Sequence, residues 1–93
     1  MICGSGQGMA MRANKYRGVR AALVWNEEST TLSRQHNDAN VLCMGARVVG
    51  ESLALEILKS FVNAKFSGAE RHVRRLNKVI SVEKRYMNQT VGG

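Results

Sequence analysis

Cys3 stands directly before Gly4-Ser5-Gly6-Gln7-Gly8, an order of residue types that can do chemistry. Glycines let a backbone approach a ligand closely, and the free amides at a helix start favour an anion, whether phosphate or a developing oxyanion. A thiol beside such a loop feels the same field, which lowers its pKa and makes it a better base or nucleophile. The string is not a Walker loop, since no Lys-Ser or Lys-Thr follows the last glycine, and it lacks the Rossmann glycine spacing. A buried strand cysteine followed by an ordinary turn accounts for the same residues, because free cysteine is among the most buried types.

Two further groups stand out. Arg34-Gln35-His36-Asn37-Asp38-Ala39-Asn40 packs polar side chains between a helical stretch and an apolar one. Asn and Asp there can simply cap backbone groups in a turn. The chemical reading is that His36 titrates near neutrality and can move protons on a sugar ring, with Asn37 beside it to hold hydroxyls. The third group is Arg47 with Arg71 and Arg75. Two guanidiniums one helical turn apart can grip a phosphate through forked hydrogen bonds, although a solvated helix face gives the same pattern.

The elements that must position these residues can be read from spacing. Met1 to Cys3 reads as the end of a strand, residues 4 to 8 as a loop, and Met9 to Lys15 as a short helix. Val19 to Trp25 is an apolar run of strand length. Asn26 is a candidate N-cap for a helix over Glu27 to Gln35, with His36 to Asn40 as the following turn. Val41 to Val49 gives another strand. Leu53, Ile57, Leu58, Phe61 and Val62 recur at helical spacing within residues 51 to 65. Over residues 69 to 86, Val73, Leu76 and Ile80 form one sector of a helix, and Arg71, Arg74, Arg75 and Lys78 the opposite one. Strands alternating with helices predict an α/β fold, a parallel sheet with helices on its faces and ligands at the carboxyl ends of strands. Two full strands and a stub make a marginal sheet, so the chain reads as part of a larger unit.

Composition narrows the function classes. The 93 residues form one small domain, residues 1–93, of a size that hides only about 60 to 65% of the unfolded chain's surface, so a partner subunit could supply the rest. The net charge of +7 is concentrated at residues 12–20 and 71–85. That suits nucleic acid, or a phosphorylated small molecule that needs the same residue types better aimed. With only Tyr16, Trp25, Phe61, Phe66 and Tyr86 for stacking, nucleic acid is disfavoured. No run approaches the ~18 to 20 apolar residues of a membrane helix, and the start lacks a signal-peptide layout, so the expectation is a soluble, cytoplasmic protein with no membrane partner. Cys3 and Cys43 are too far apart for a CxxC site and form no cluster with the two histidines, so free thiols and no metal are expected.

Together the strings Ile2-Cys3-Gly4-Ser5-Gly6-x-Gly8, Ala13-Asn14-Lys15 with Gly18-Val19-Arg20, Ser33-Arg34-Gln35-His36-Asn37-Asp38-Ala39-Asn40-Val41-Leu42, Gly45-Ala46-Arg47-Val48-Val49-Gly50, and Arg71-His72 with Arg75 resemble the carboxyl-terminal part of the ribose-5-phosphate isomerase B and galactose-6-phosphate isomerase family. The resemblance runs from Ile2 to about Ile80. It implies a Rossmann-like three-layer α/β/α fold with a parallel sheet, here a truncated portion. It also implies an aldose–ketose isomerisation of a phosphorylated sugar through an enediolate, with no cofactor. Cys3 would carry the proton between the two sugar carbons with Ser5 assisting, and amides of the loop Gly4, Gly6 and Gly8 would face the enediolate oxygen. His36 would open the sugar ring, Asn37 would hold the open chain, and Arg47, Arg71 and Arg75 would hold the phosphate. Sites of this family lie between subunits, so a homodimer or larger oligomer is implied.

Departures from the family pattern are informative. Some relatives place a glutamate base just after the last loop glycine, where Met9 stands here, which favours Cys3 as the base. Gln7 and Arg12 replace smaller or apolar residues. Family members open on a strand with an Asp-His pair that this sequence lacks, so a fragment that is weak or inactive alone is expected. The alternatives are a galactose-6-phosphate isomerase subunit, or a non-catalytic phosphate- or nucleic-acid-binding module, which includes a subunit lending His36 and its arginines to a longer partner.

Overall fold

A computed structural model describes the backbone of residues 1–92 and side chains through Tyr86. Three short strands, β1 (Ile2–Cys3), β2 (Ala21–Leu23) and β3 (Val41–Gly45), form a parallel sheet in the order β1-β3-β2. Ile2 pairs with Met44, and Ala22 with Leu42. Four helices accompany them: α1 (Gln7–Ala13), α2 (Glu27–Asn37), α3 (Glu51–Asn63) and α4 (Glu70–Gly92).

The two-residue period of the strands decides what goes where. Ala22, Val24, Leu42 and Met44 share a core with Val49 and Ile57, against which Leu53, Ala54 and Phe61 of α3 pack. Buried Ala10 and Ala13 belong to α1, which lies against all three strands, while α2 packs alongside α3. The expected apolar stripe of α3 is therefore only half used: Ile57 is fully buried, whereas Leu58 and Val62 are exposed.

Local sequence explains the ends. Asn26 caps α2 as expected, its side chain accepting from the Ser29 amide at 2.7 Å, while the Ser29 hydroxyl accepts from the Asn26 amide in return. At the other end Asp38 takes a left-handed conformation (φ 48°), its amide and that of Ala39 closing on Arg34 and Ser33 carbonyls.

Several boundaries differ from the sequence reading. α1 begins at Gln7, so Gly8 is helical rather than part of the loop. α2 runs on through His36 and Asn37, which occupy its last turn and not a connecting turn. β3 stops at Gly45, because the amides of Val48 and Val49 turn back to the Gly45 carbonyl, leaving Arg47 in that turn. In α4 the packed face carries His72, Leu76 and Ile80, with Val73 exposed beside it, and Arg75 looks towards α2 instead of standing opposite the packed face.

Candidate active site

The loop after β1 is seated on the end of β3. Gly6 has φ 82°, and a Cβ there would run into the Leu23 side chain and lie 2.9 Å from the Met44 carbonyl carbon. A Cβ on Gly45 would lie 2.6 Å from Ser5 backbone atoms. Two backbones thus meet where no side chain fits, and the amides of Ala46 and Arg47 donate to the carbonyls of Cys3 and Gly4 at 2.7 and 3.0 Å.

This seat aims the chemistry. The Gly6 amide donates to the Cys3 sulfur at 3.1 Å, a donor placed to meet negative charge on that atom. The Gln7 amide reaches the exposed Ser5 hydroxyl at 3.4 Å. Of the amides expected to face a ligand oxygen, that of Gly6 is therefore turned onto a side chain of the loop itself. Arg47 lies over the loop, with its Nε 3.6 Å from where a Gly4 Cβ would be. Both cysteines are free. Burial raises the pKa of Cys43, so it is the inert thiol of the two, fully hidden within β3.

A second cluster joins α2 to α4. His36 and His72 stack with ring centres 4.2 Å apart and planes 16° from parallel. One Arg75 nitrogen, Nη2, donates to the His36 carbonyl at 2.6 Å and to Asn37 Oδ1 at 2.7 Å, placing a cation on the carbonyl end of α2. Arg71 Nε lies 3.4 Å from His72 Nε2. His72 is only 5% exposed, and its Nδ1 has no hydrogen-bond partner among the described residues. Its pKa is lowered, first by burial and then by the charges of His36, Arg71 and Arg75.

The two clusters lie at opposite edges of the sheet. Cys3, Ser5 and Arg47 sit at the carboxyl ends of β1 and β3. A helix that links parallel strands runs back to their amino ends, so the last turn of α2 carries His36 and Asn37 to the other edge. Asn40 and Arg20 mark that edge: the Asn40 side chain accepts from the Arg20 amide at 2.7 Å and donates to the Gly18 carbonyl at 2.7 Å. One chain thus brings Cys3 together with Ser5 and Arg47, and His36 together with Asn37, Arg71 and Arg75, but not the first set with the second.

Sequence reasoning missed two members of this arrangement. His72 entered only as part of a matched string, and its burial is invisible without α2. Arg34 was read as part of the polar string, yet it is a staple. Its nitrogens donate to the carbonyls of Ala39 at 2.6 Å and Ala64 at 3.3 Å, and its guanidinium lies over the Phe61 ring. Asp38 likewise pairs with Arg20. The polar string therefore splits, His36 and Asn37 facing α4 while Arg34, Asp38 and Asn40 tie the fold. Among the described residues no three His, Cys, Asp or Glu side chains gather as a metal cluster, and no helix is long and apolar enough to cross a membrane.

Comparison with known proteins adds the relatives. The family described as Ribose/Galactose Isomerase matches residues 1–79. The probable ribose-5-phosphate isomerase B of Mycoplasma genitalium is 49% identical over 84 residues, covering 90% of this chain and 55% of that protein. Ribose-5-phosphate isomerase B of Escherichia coli is 44% identical over 85 residues, covering 91% and 56%. Among solved structures, the Mycoplasma genitalium enzyme with bound ribulose-5-phosphate superposes with a TM-score of 0.86 at 49% identity, over 89% of this chain and 54% of that one. The type B enzyme of Trypanosoma cruzi gives 0.89 at 47%, over 91% and 57%. The chain spans about half the length of these relatives, with the Rossmann-like parallel sheet they share. It belongs to the ribose/galactose isomerase family.

Proposed function

We propose that this chain supplies proton-transfer and phosphate-holding groups to a cytoplasmic aldose–ketose isomerase of the ribose 5-phosphate to ribulose 5-phosphate kind. The observation that carries this reading is the Gly6 amide aimed at the Cys3 sulfur, in a chain whose 49% identical relative holds ribulose-5-phosphate.

The chemistry needs only groups of this kind. The Cys3 thiolate takes the proton from C2 of the open-chain aldose, and the electron pair moves to O1 as an enediolate. The O2 hydroxyl proton passes to O1 with help from Ser5, and the Cys3 proton is delivered to C1, leaving the carbonyl at C2. His36 exchanges protons with the ring oxygen and O1 to open the furanose, Asn37 holds a hydroxyl, and the amides of Gly4 in the loop and Gly8 in the first turn of α1 offset charge on the enediolate, while that of Gly6 steadies the Cys3 thiolate. Arg47, Arg71 and Arg75 hold the phosphate dianion.

Because the two clusters stand at opposite edges, one sugar is reached by Cys3 of one copy and by His36, Asn37, Arg71 and Arg75 of another. The working form is a homodimer or larger assembly with shared sites. Two unpaired thiols suit a reducing compartment.

Deuterium exchange tests the reading. In D2O the purified chain exchanges the C2 hydrogen of D-ribose 5-phosphate slowly, and Cys3→Ala removes the exchange. Equal exchange in the variant, or none above buffer in the parent, overturns it. A galactose 6-phosphate arm reads the alternative substrate. Salt-sensitive binding to RNA that ignores Cys3→Ala is the mark of a nucleic-acid module.

A further inference from the structure

We infer that His72 is a positioning residue: stacked beneath His36, it fixes the plane of that ring and links it to Arg71. The inference rests on the isomerase reading above, in which His36 opens the sugar ring.

Three observations converge. The rings overlap at 4.2 Å and 16°, with His72 buried and His36 partly open to solvent, so one face of His36 is covered and its edge left available. The helices carrying them are pinned beside the stack by Arg75, bound to the His36 carbonyl and to Asn37 Oδ1. His72 Nε2 accepts from Arg71 Nε, which for a neutral ring puts the proton on Nδ1. A phenyl ring would serve the stack alone; what the imidazole adds is this lone pair, which ties a guanidinium to the same plane.

The surroundings keep that ring uncharged. His36 faces it from α2 and Arg71 and Arg75 from its own helix. With Nδ1 already carrying the hydrogen, a second proton would have to sit on Nε2, where it would displace the Arg71 bond and add charge beside three basic neighbours. The neutral imidazole is thus a fixed wedge against one face of the His36 ring.

The chain has two histidines, so imidazole NMR reads both without ambiguity. In the parent chain the His36 ring protons are expected upfield, displaced by the neighbouring ring. His72 is expected to titrate below the ordinary histidine range, its neutral form carrying the hydrogen on Nδ1. His72→Ala loses the His36 displacement, and His72→Phe retains it while releasing Arg71. A folded His72→Ala chain with unmoved His36 signals overturns the inference. So does a His72→Phe chain whose His36 signals return to the unstacked position, which decides the matter if the alanine variant does not fold. In the exchange assay, His72→Ala slows turnover of ribose 5-phosphate and His72→Phe restores most of it; equal rates above background in all three overturn the inference. No exchange in the parent, with the displaced His36 signals intact, counts against the isomerase reading and leaves the stack standing.

Discussion

The amide of Gly6 points at the sulfur of Cys3 because Gly45, forty-two positions beyond Cys3, has no side chain: Ser5 rests on its backbone, where a Cβ would come within 2.6 Å. The thiol environment is thus set by a contact between two loops at the same sheet edge. Sequence-local preference alone would not hold it.

Substitution at that contact separates two kinds of glycine. Gly45→Ala forces the β1–α1 loop away from β3 and is expected to cost about 2 to 3 kcal/mol in urea unfolding, with loss of the Cys3-dependent exchange. Gly8→Ala, in a helix with open space around it, is expected to raise stability by about 0.5 to 1 kcal/mol.

Stability should depend on pH through His72. Its folded pKa lies below the unfolded value, so near and below pH ~6.5 the unfolded chain binds the extra proton. The contribution is fully present above the unfolded pKa and is lost as pH falls towards the lowered folded value. Urea midpoints measured at about pH 7.5 and 5.5 should fall on acidification in the parent chain, and fall less in His72→Phe.

Removing the helix cap has a smaller and more local effect. Asn26→Ala leaves the Ser29 amide without its acceptor and is expected to cost about 1 kcal/mol. Hydrogen exchange should speed up first in the opening turn of α2.

Arg34 should behave as part of the scaffold. Arg34→Met keeps the stem over Phe61 but drops the bonds to the carbonyls of Ala39 and Ala64, for an expected loss of roughly 2 kcal/mol. A variant that retains parent stability while losing exchange would instead place Arg34 among the substrate contacts.

Much of this molecule was legible in order and spacing. The alternation of elements, the Asn26 cap, the apolar strand run from Val41, and Cys3 and His36 as candidates all follow from residue types and local periodicity, whereas Ser5 entered only through the family resemblance. These are short-range properties, fixed by steric preferences within a few residues.

The tertiary structure decided which of those residues meet. It extended α2 through Asn37, turned Arg75 onto that helix, buried His72 under His36, and set Cys3 and His36 at opposite edges of the sheet. Each outcome depends on where a helix axis lies relative to another element. Packing sets that through side chains far apart in sequence, which no periodicity within one segment records.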